Sequence, residues 1–344
     1  EVIRRKRSTL ADVAKLADVS AVTVSRALRR PEMVSAPLRE RIDAAVRELA
    51  YVPDVAASRL ASARTHAVGV IVSSLTSGVF AEYLGALHDT LLPAGLQVVV
   101  LTSRYSGAEE EKAIATLIGQ HPEAILVAGI DQTPHARRLL QGAGVPVIQT
   151  YELTDDPIDI NIGLSQRQAG YAATQYLIEL GHRKIAFTAA HLDSRARTRM
   201  EGYAQAMREA GLPTEGRIAT IEQQSSVATG VTLLGTLLDR DPTLEAIFCC
   251  DDNLALGSLF ECQRRGIAVP ERMSIIGFND LEFSAYACPS LSTVATPRYD
   301  MGRMAAEIIL RYIETGERPA DPRIDVGFSL QRRQSTAPRL SRSR

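Results

Sequence analysis

Apolar residues in the first fifty positions recur at helical spacing, whereas beyond position 66 they gather into short unbroken runs, so two kinds of structure follow one another along the chain. Leu10, Val13 and Ala14 share one helical face, and Thr9 with Asp12 three residues on has the form of a capping box. Val19 closes a turn, Ser20 is a cap for the next helix, and Val24 and Leu28 repeat the spacing. Two helices this short cannot stand alone. A third stripe, Leu38, Ile42, Ala45, Val46 and Leu49, follows the cap candidate Ser35, with Pro37 tolerated in the first turn, and closes a small three-helix core. This is the layout of a helix-turn-helix DNA-binding domain, expected over 8–52.

The rest of the chain alternates. AVGVIVS, LQVVVLT, AILVA and VPVIQT read as buried parallel strands, with helices near 79–93, 108–120 and 134–143 between them. After Ile162 the pattern restarts: a helix near 166–180, KIAFTAA, a helix near 197–210, RIATIE, a helix near 228–239, AIFCC, a helix near 254–265 and MSIIGF. Two doubly wound α/β units in succession are predicted. Between head and body lies DVAASRLAS, after Pro53. An isolated helix of that length is marginal in water, so the segment is either a helix that orders only when held or a flexible linker.

Composition adds an asymmetry. Net charge is −1, but residues 1–64 carry 13 Lys+Arg against 8 Asp+Glu, a balance of +5, leaving −6 for the remainder. That suits a nucleic-acid head on an acidic body, although a solvated surface would look similar. The four cysteines lack a disulfide framework: Cys249 and Cys250 are adjacent in a predicted strand, and Cys262 and Cys288 lie elsewhere. No apolar run is long enough to span a membrane, and the charged opening EVIRRKR does not resemble a signal peptide, so a cytoplasmic protein without membrane contact is expected.

Catalytic patterns are missing. There is no GxSxG, P-loop or HExxH; Gly142-Ala-Gly144 runs into Val-Pro-Val and fails the dinucleotide fingerprint; the six histidines lack metal-ligand spacing. The chain is therefore expected to be no enzyme and to need no cofactor or metal. A recognition helix reads bases from its exposed N-terminal half, here Ala21, Val22, Ser25 and Arg26. Arg26 can fork onto O6 and N7 of guanine, Ala21 and Val22 offer only apolar contact, and Thr9, Ser20, Thr23, Arg29 and Arg30 are placed for phosphate. In open α/β sheets ligands sit beyond the C-terminal strand ends. The polar residues there are Ser74, Thr76 and neighbouring Phe80, then Tyr105, Asp131, the stretch Ser194 to Arg199, Asp251 with Asp252, and Asn279 with Asp280, to which Gln224 is added. Arg195 and Arg199, four apart, both face such a cleft if their stretch is helical; Asp252 alternatively caps the helix beginning at Asn253.

LADVAKLADVSAVTVSRAL, followed by VSAPLRERIDAAVRELAYVPDVAASRLAS, resembles the lactose-repressor family of bacterial transcription regulators. SSLTSGVFAEYL, DPIDINIGL, FECQRRGIAVPERMSIIGF and TPRYDMG are similar to its sugar-acid branch, that of the gluconate-operon repressor and 2-ketogluconate regulators. The resemblance implies an all-α helix-turn-helix head, a hinge helix over 53–64, and a periplasmic-binding-protein-like α/β core. That core would comprise an N-subdomain (65–162 and 296–325) and a C-subdomain (163–295 and 326–338), crossed three times by the chain. It implies a homodimer on a palindromic operator, with Arg59 and Leu60 at the hinge and Leu60 wedged into the central minor-groove step. In the cleft, Arg199 matches an arginine that grips sugar hydroxyls or a carboxylate, Asp251 matches a ligand-contacting position, and Asn279 replaces the usual aspartate. A carboxylate at 279 would repel an anion, whereas an amide donates to it, so Asn279, Arg195 and Arg199 favour a sugar-acid effector over a neutral sugar. Induction and co-repression both remain compatible with the residues. A sugar carrier or an enzyme on a similar body is the competing class, and the head argues against it.

Overall fold

Thr9 opens the first helix: its hydroxyl accepts from the Asp12 amide, and the Asp12 carboxylate accepts from the Thr9 amide in return. Helix α1 (Leu10–Leu16) turns at Asp18, whose positive φ of 50° lets the chain reverse, into α2 (Ala21–Arg29), capped by Ser20. Helix α3 (Ala36–Glu48) completes the head, and Val13, Ala14, Ala17, Val24, Ala27, Ile42 and Ala45 form its core. Arg41 on α3 donates to the Ala17 and Asp18 carbonyls and holds the turn. Ser35 sits at the N-cap of α3, yet its hydroxyl makes no capping bond. Pro37 removes the N2 amide as a donor to such a cap.

This computed structural model describes residues 8–52 and 65–339 and divides the chain into two units at Thr65 and His66. The hinge segment 53–64, with Arg59 and Leu60, lies outside the described residues, as does the basic run Arg4 to Arg7; the side chain of Arg29 is likewise not described.

The second unit holds two six-stranded sheets. The first is built from β1 (Ala67–Val72), β2 (Gln97–Thr102), β3 (Ala124–Ala128), β4 (Val147–Glu152), β5 (Ile160–Leu164) and β11 (Arg323–Asp325), in the order β11-β5-β4-β3-β1-β2. The second comprises β6 (Ile185–Ala190), β7 (Ile218–Ile221), β8 (Ala246–Cys249), β9 (Ser274–Asn279), β10 (Ser292–Ala295) and β12 (Ser329–Gln331), in the order β12-β10-β9-β8-β6-β7. All pairings are parallel except β10 with β12. Helices α4 (Ala81–Leu91), α5 (Gly107–Gly119) and α6 (Pro134–Gln141) join strands of the first sheet. Helices α7 (Gln166–Glu179), α8 (Ser194–Glu209), α9 (Val227–Arg240), α10 (Asp252–Arg264) and α11 (Glu282–Tyr286) accompany the second. Helix α12 (Arg298–Thr315) leaves β10 and packs on α4 so closely that a Cβ on Gly302 would land on the Tyr83 carbonyl. The chain thus passes between sheets after β5, after β10 and between β11 and β12.

The hydrophobic pattern does not predict β5, β10, β11, β12 or α11, each of five residues or fewer. Helix α8 starts at Ser194, earlier than its apolar spacing suggests, because Asp193 caps it through the Ala196 amide at 2.8 Å. No helix among the described residues is long and apolar enough to cross a membrane.

Candidate functional site

In the head, α2 exposes Ala21, Val22 and Arg26, with Thr23 and Ser25 half-buried, while Val24 and Ala27 turn into the core. The exposed set is two small apolar side chains at the helix start plus one arginine fork, and Val22 is 67% exposed. The hydroxyls of Ser20 and Thr23 bond each other at 2.8 Å, and that of Thr9 reaches Asp12. All three are engaged in capping while remaining at the helix N-termini, where backbone amides favour an anion.

In the body, the C-terminal strand ends of both sheets face a cavity of about 390 Å³. Its lining includes Ser74, Thr76, Phe80, Tyr105, Arg195, Arg199, Gln224, Asp251 and Asn279, nine of the ten residues singled out from sequence. Asp131 is the tenth. It lines a neighbouring polar cavity of about 270 Å³. Tyr105, His191, Asp193 and Arg195 border both spaces, with the Tyr105 and His191 rings 4.7 Å apart.

The two cleft arginines are differently engaged. Arg195 pairs with Asp193 at 2.9 Å, donates to Ser73 Oγ at 3.2 Å and lies over the Phe80 and Tyr151 rings. Its charge is locally balanced. Burial works to raise the Asp193 carboxyl, but Arg195 and the Ala196 amide hold it below its usual range. Arg199, 9% exposed, donates through Nε to Gln166 Oε1 and through Nη1 to the Cys250 carbonyl, both at 2.7 Å, and stacks 3.7 Å from the Phe278 ring centroid. Among the described residues no carboxylate forms an ion pair with it. This buried guanidinium is held directly by two neutral acceptors, and its charge acts at longer range on the Glu152, Asp193 and Asp251 carboxyls, lowering each.

Of the two carboxylates at the β8 end, Asp251 takes both the lining and the capping role, and Asp252 takes neither. Asp251, not Asp252, is the N-cap of α10, accepting from the Asn253 and Leu254 amides, while still lining the cavity; burial raises its carboxyl above the usual range. Asp252 is fully buried under β9, accepting from Thr293 Oγ1 at 2.6 Å and from the Leu281 amide at 2.7 Å, and burial pushes it up to about 7. Adjacent side chains on a helix start point in different directions, so one of two consecutive aspartates caps and the other turns inward.

Residues without a sequence signal, Gln166 and Glu152, hold the cleft residues from behind the lining. Gln166 joins the two sheets' ends, accepting from Arg199 and donating to the Tyr151 carbonyl at 2.7 Å. Glu152, at the end of β4, accepts from Ser194 at 3.3 Å and Thr198 at 3.1 Å on α8, and burial raises its carboxyl. Asn279 ends β9 with φ at 105°, and its carbonyl accepts from Arg298.

A head built to present one helix to DNA, joined to a two-sheet body with a polar cleft, is a ligand-responsive DNA-binding regulator. The description of bacterial regulatory proteins of the lacI family matches residues 9–54, and that of a periplasmic binding protein-like domain matches residues 174–336. The HTH-type transcriptional regulator GntR of Pseudomonas aeruginosa is 41% identical over 331 residues, spanning 96% of this chain and 96% of the relative. Among solved structures, a LacI-family transcriptional regulator from Silicibacter pomeroyi matches with a TM-score of 0.90 at 33% identity, covering 95% of this chain and 99% of that one. The lac repressor dimer bound to operator and an anti-inducer matches with a TM-score of 0.80 at 26% identity over 96% and 100% of the two chains. The chain belongs to the lacI family: it is a DNA-binding transcription regulator and not an enzyme.

Proposed function

We propose that this regulator represses genes of sugar-acid metabolism and leaves a palindromic operator when gluconate or 2-ketogluconate enters the cleft. The observation that carries the effector class is Arg199, a buried guanidinium without a carboxylate partner, lining the same cavity as the neutral amide of Asn279. An anion supplies the direct ion pair that Arg199 lacks, and the remaining hydroxyl and carboxyl groups suit a polyhydroxylated chain. Likeness to GntR relatives supports the same class. In this reading the protein acts as a homodimer, in keeping with the lac repressor dimer it is similar to. Ala21, Val22, Ser25 and Arg26 read bases, Thr9, Ser20, Thr23 and Arg29 meet phosphates, and Arg59 and Leu60 act at the hinge.

Regulation then follows from linkage. An acid that binds one arrangement of the two sheets more tightly than another shifts the population of the operator-binding state. Calorimetric titration of gluconate, 2-ketogluconate and glucose into the wild type and Asn279→Asp tests the effector class. The wild type should prefer an acid, and Asn279→Asp should weaken the acids by roughly tenfold or more, with little change for neutral sugar, because the added charge opposes only the anion. Tighter wild-type binding of glucose than of either acid would overturn the sugar-acid reading.

A further inference from the structure

Arg298 is 2% exposed and opens α12, immediately after the chain leaves β10. Its backbone belongs with the first sheet, since Gly302 one turn on brings α12 into backbone contact with α4 at Tyr83. Its guanidinium reaches the other way. Nη1 donates to the Asn279 carbonyl and, at 3.1 Å, to Thr296 Oγ1; Nη2 donates to the Asp280 carbonyl at 3.3 Å and pairs at 2.8 Å with Glu82 on α4. Asn279 and Asp280 both have positive φ, 105° and 56°, and Asn279 lines the effector cavity. Asn and Asp tolerate positive φ better than other side chains, and such a backbone is kept in place by the contacts around it.

We infer that Arg298 is the positioning residue that holds the Asn279 amide in the cavity and ties it to α4. The inference rests on the effector reading above and extends it to a residue outside the cavity lining. Two carbonyls in succession, both bonded by one buried guanidinium, restrain the backbone at the end of β9 from which Asn279 lines the cavity, alongside the Arg333–Asp280 pair at 2.7 Å. Glu82 fixes the other end of the strap. It lies two residues after Phe80, a lining residue in the short helical turn that follows β1, so a shift of one sheet against the other stretches either the Arg298–Glu82 pair or the Arg298–Asn279 bond. Cavity geometry and sheet arrangement are thereby coupled through one side chain.

The test is epistasis with full-length protein, using gluconate as probe. Arg298→Met should lower gluconate affinity roughly tenfold or more while the protein stays folded by circular dichroism, and Arg298→Lys, which keeps a charged donor, should recover part of the loss. In an Asn279→Ala background Arg298→Met should cost no further affinity, because the residue it positions is gone. A merely structural Arg298 would show the same loss in both backgrounds, and that outcome overturns the inference, as does wild-type gluconate affinity in Arg298→Met. Glu82→Gln should leave gluconate affinity nearly intact and shrink the ratio of operator affinities with and without gluconate; an unchanged ratio would remove Glu82 from the coupling. Absence of acid binding in the wild type would instead defeat the effector reading, before any variant is compared.

Discussion

At the scale of single residues, the body concentrates its unusual electrostatics near the cleft. Glu110 is 9% exposed and lines the smaller cavity; burial pushes its carboxyl up to about 7, Gln132 Nε2 donates to it at 3.4 Å and works in the opposite sense, and Asp131 and Glu111 add repulsion. A raised carboxyl pKa means that the folded protein keeps a proton which the unfolded chain has already lost. Stability from this group is therefore full below about 4.5 and is lost as pH rises toward 7. Glu110→Gln carries no titrating proton. Denaturant unfolding measured from pH 4.5 to 7 should show the variant losing less stability than the wild type over that window, by on the order of 2–3 kcal/mol at most. Parallel pH profiles would mean that Glu110 ionises freely in the folded state.

At the scale of elements, the position of Arg199 is set by how two helices meet. Helices α7 and α8 pack through glycines: a Cβ on Gly170 would land on the Arg199 carbonyl, and one on Gly202 would land on the Arg167 carbonyl. Only glycine permits that backbone approach. Gly170→Ala must push α8 outward, which costs on the order of 1–3 kcal/mol in stability. It should also carry Arg199 away from Gln166 and the Cys250 carbonyl. A loss of gluconate affinity larger than any loss of operator affinity is expected, measured by calorimetry and fluorescence anisotropy. Unaltered effector binding in a destabilised Gly170→Ala would separate helix packing from the site. Caps act at the same scale. Asp193 starts α8 a turn earlier than its apolar residues require and so places Arg195 on the first helical turn, where the pair with Asp193 forms.

For the whole molecule, linkage makes a quantitative demand. If gluconate weakens operator binding by some factor, saturating operator must weaken gluconate binding by the same factor, whichever residues transmit the effect. Anisotropy titrations of operator at several gluconate concentrations, set against calorimetry of gluconate with and without operator, should return equal factors. Unequal factors at equilibrium would imply a second effector site or a change in assembly. The same titrations carry the inducer question, since a co-repressor tightens operator binding in place of weakening it.

What a sequence shows of its structure depends on how far apart the interacting residues lie. The helix-turn-helix, the strand runs AVGVIVS, AILVA, KIAFTAA and MSIIGF, and the polar residues at their ends depend on neighbours a few positions apart, and a period of 3.6 or an unbroken β-branched run reports burial at that range. Nine of the residues so marked line one cavity because parallel strands of a doubly wound sheet deliver their C-terminal ends to the same side. Three- to five-residue strands such as β11 and β12 carry too few positions for any period to show. Nor does periodicity report partners. That Arg195 is paired and Arg199 is not, that Asp251 caps while Asp252 is buried against Thr293, and that Arg298 grips Asn279 and Glu82 all depend on contacts between residues far apart in the chain. Such pairings exist only once the two sheets and their crossing segments have packed, because burial is a property of one position whereas a partner is a property of two.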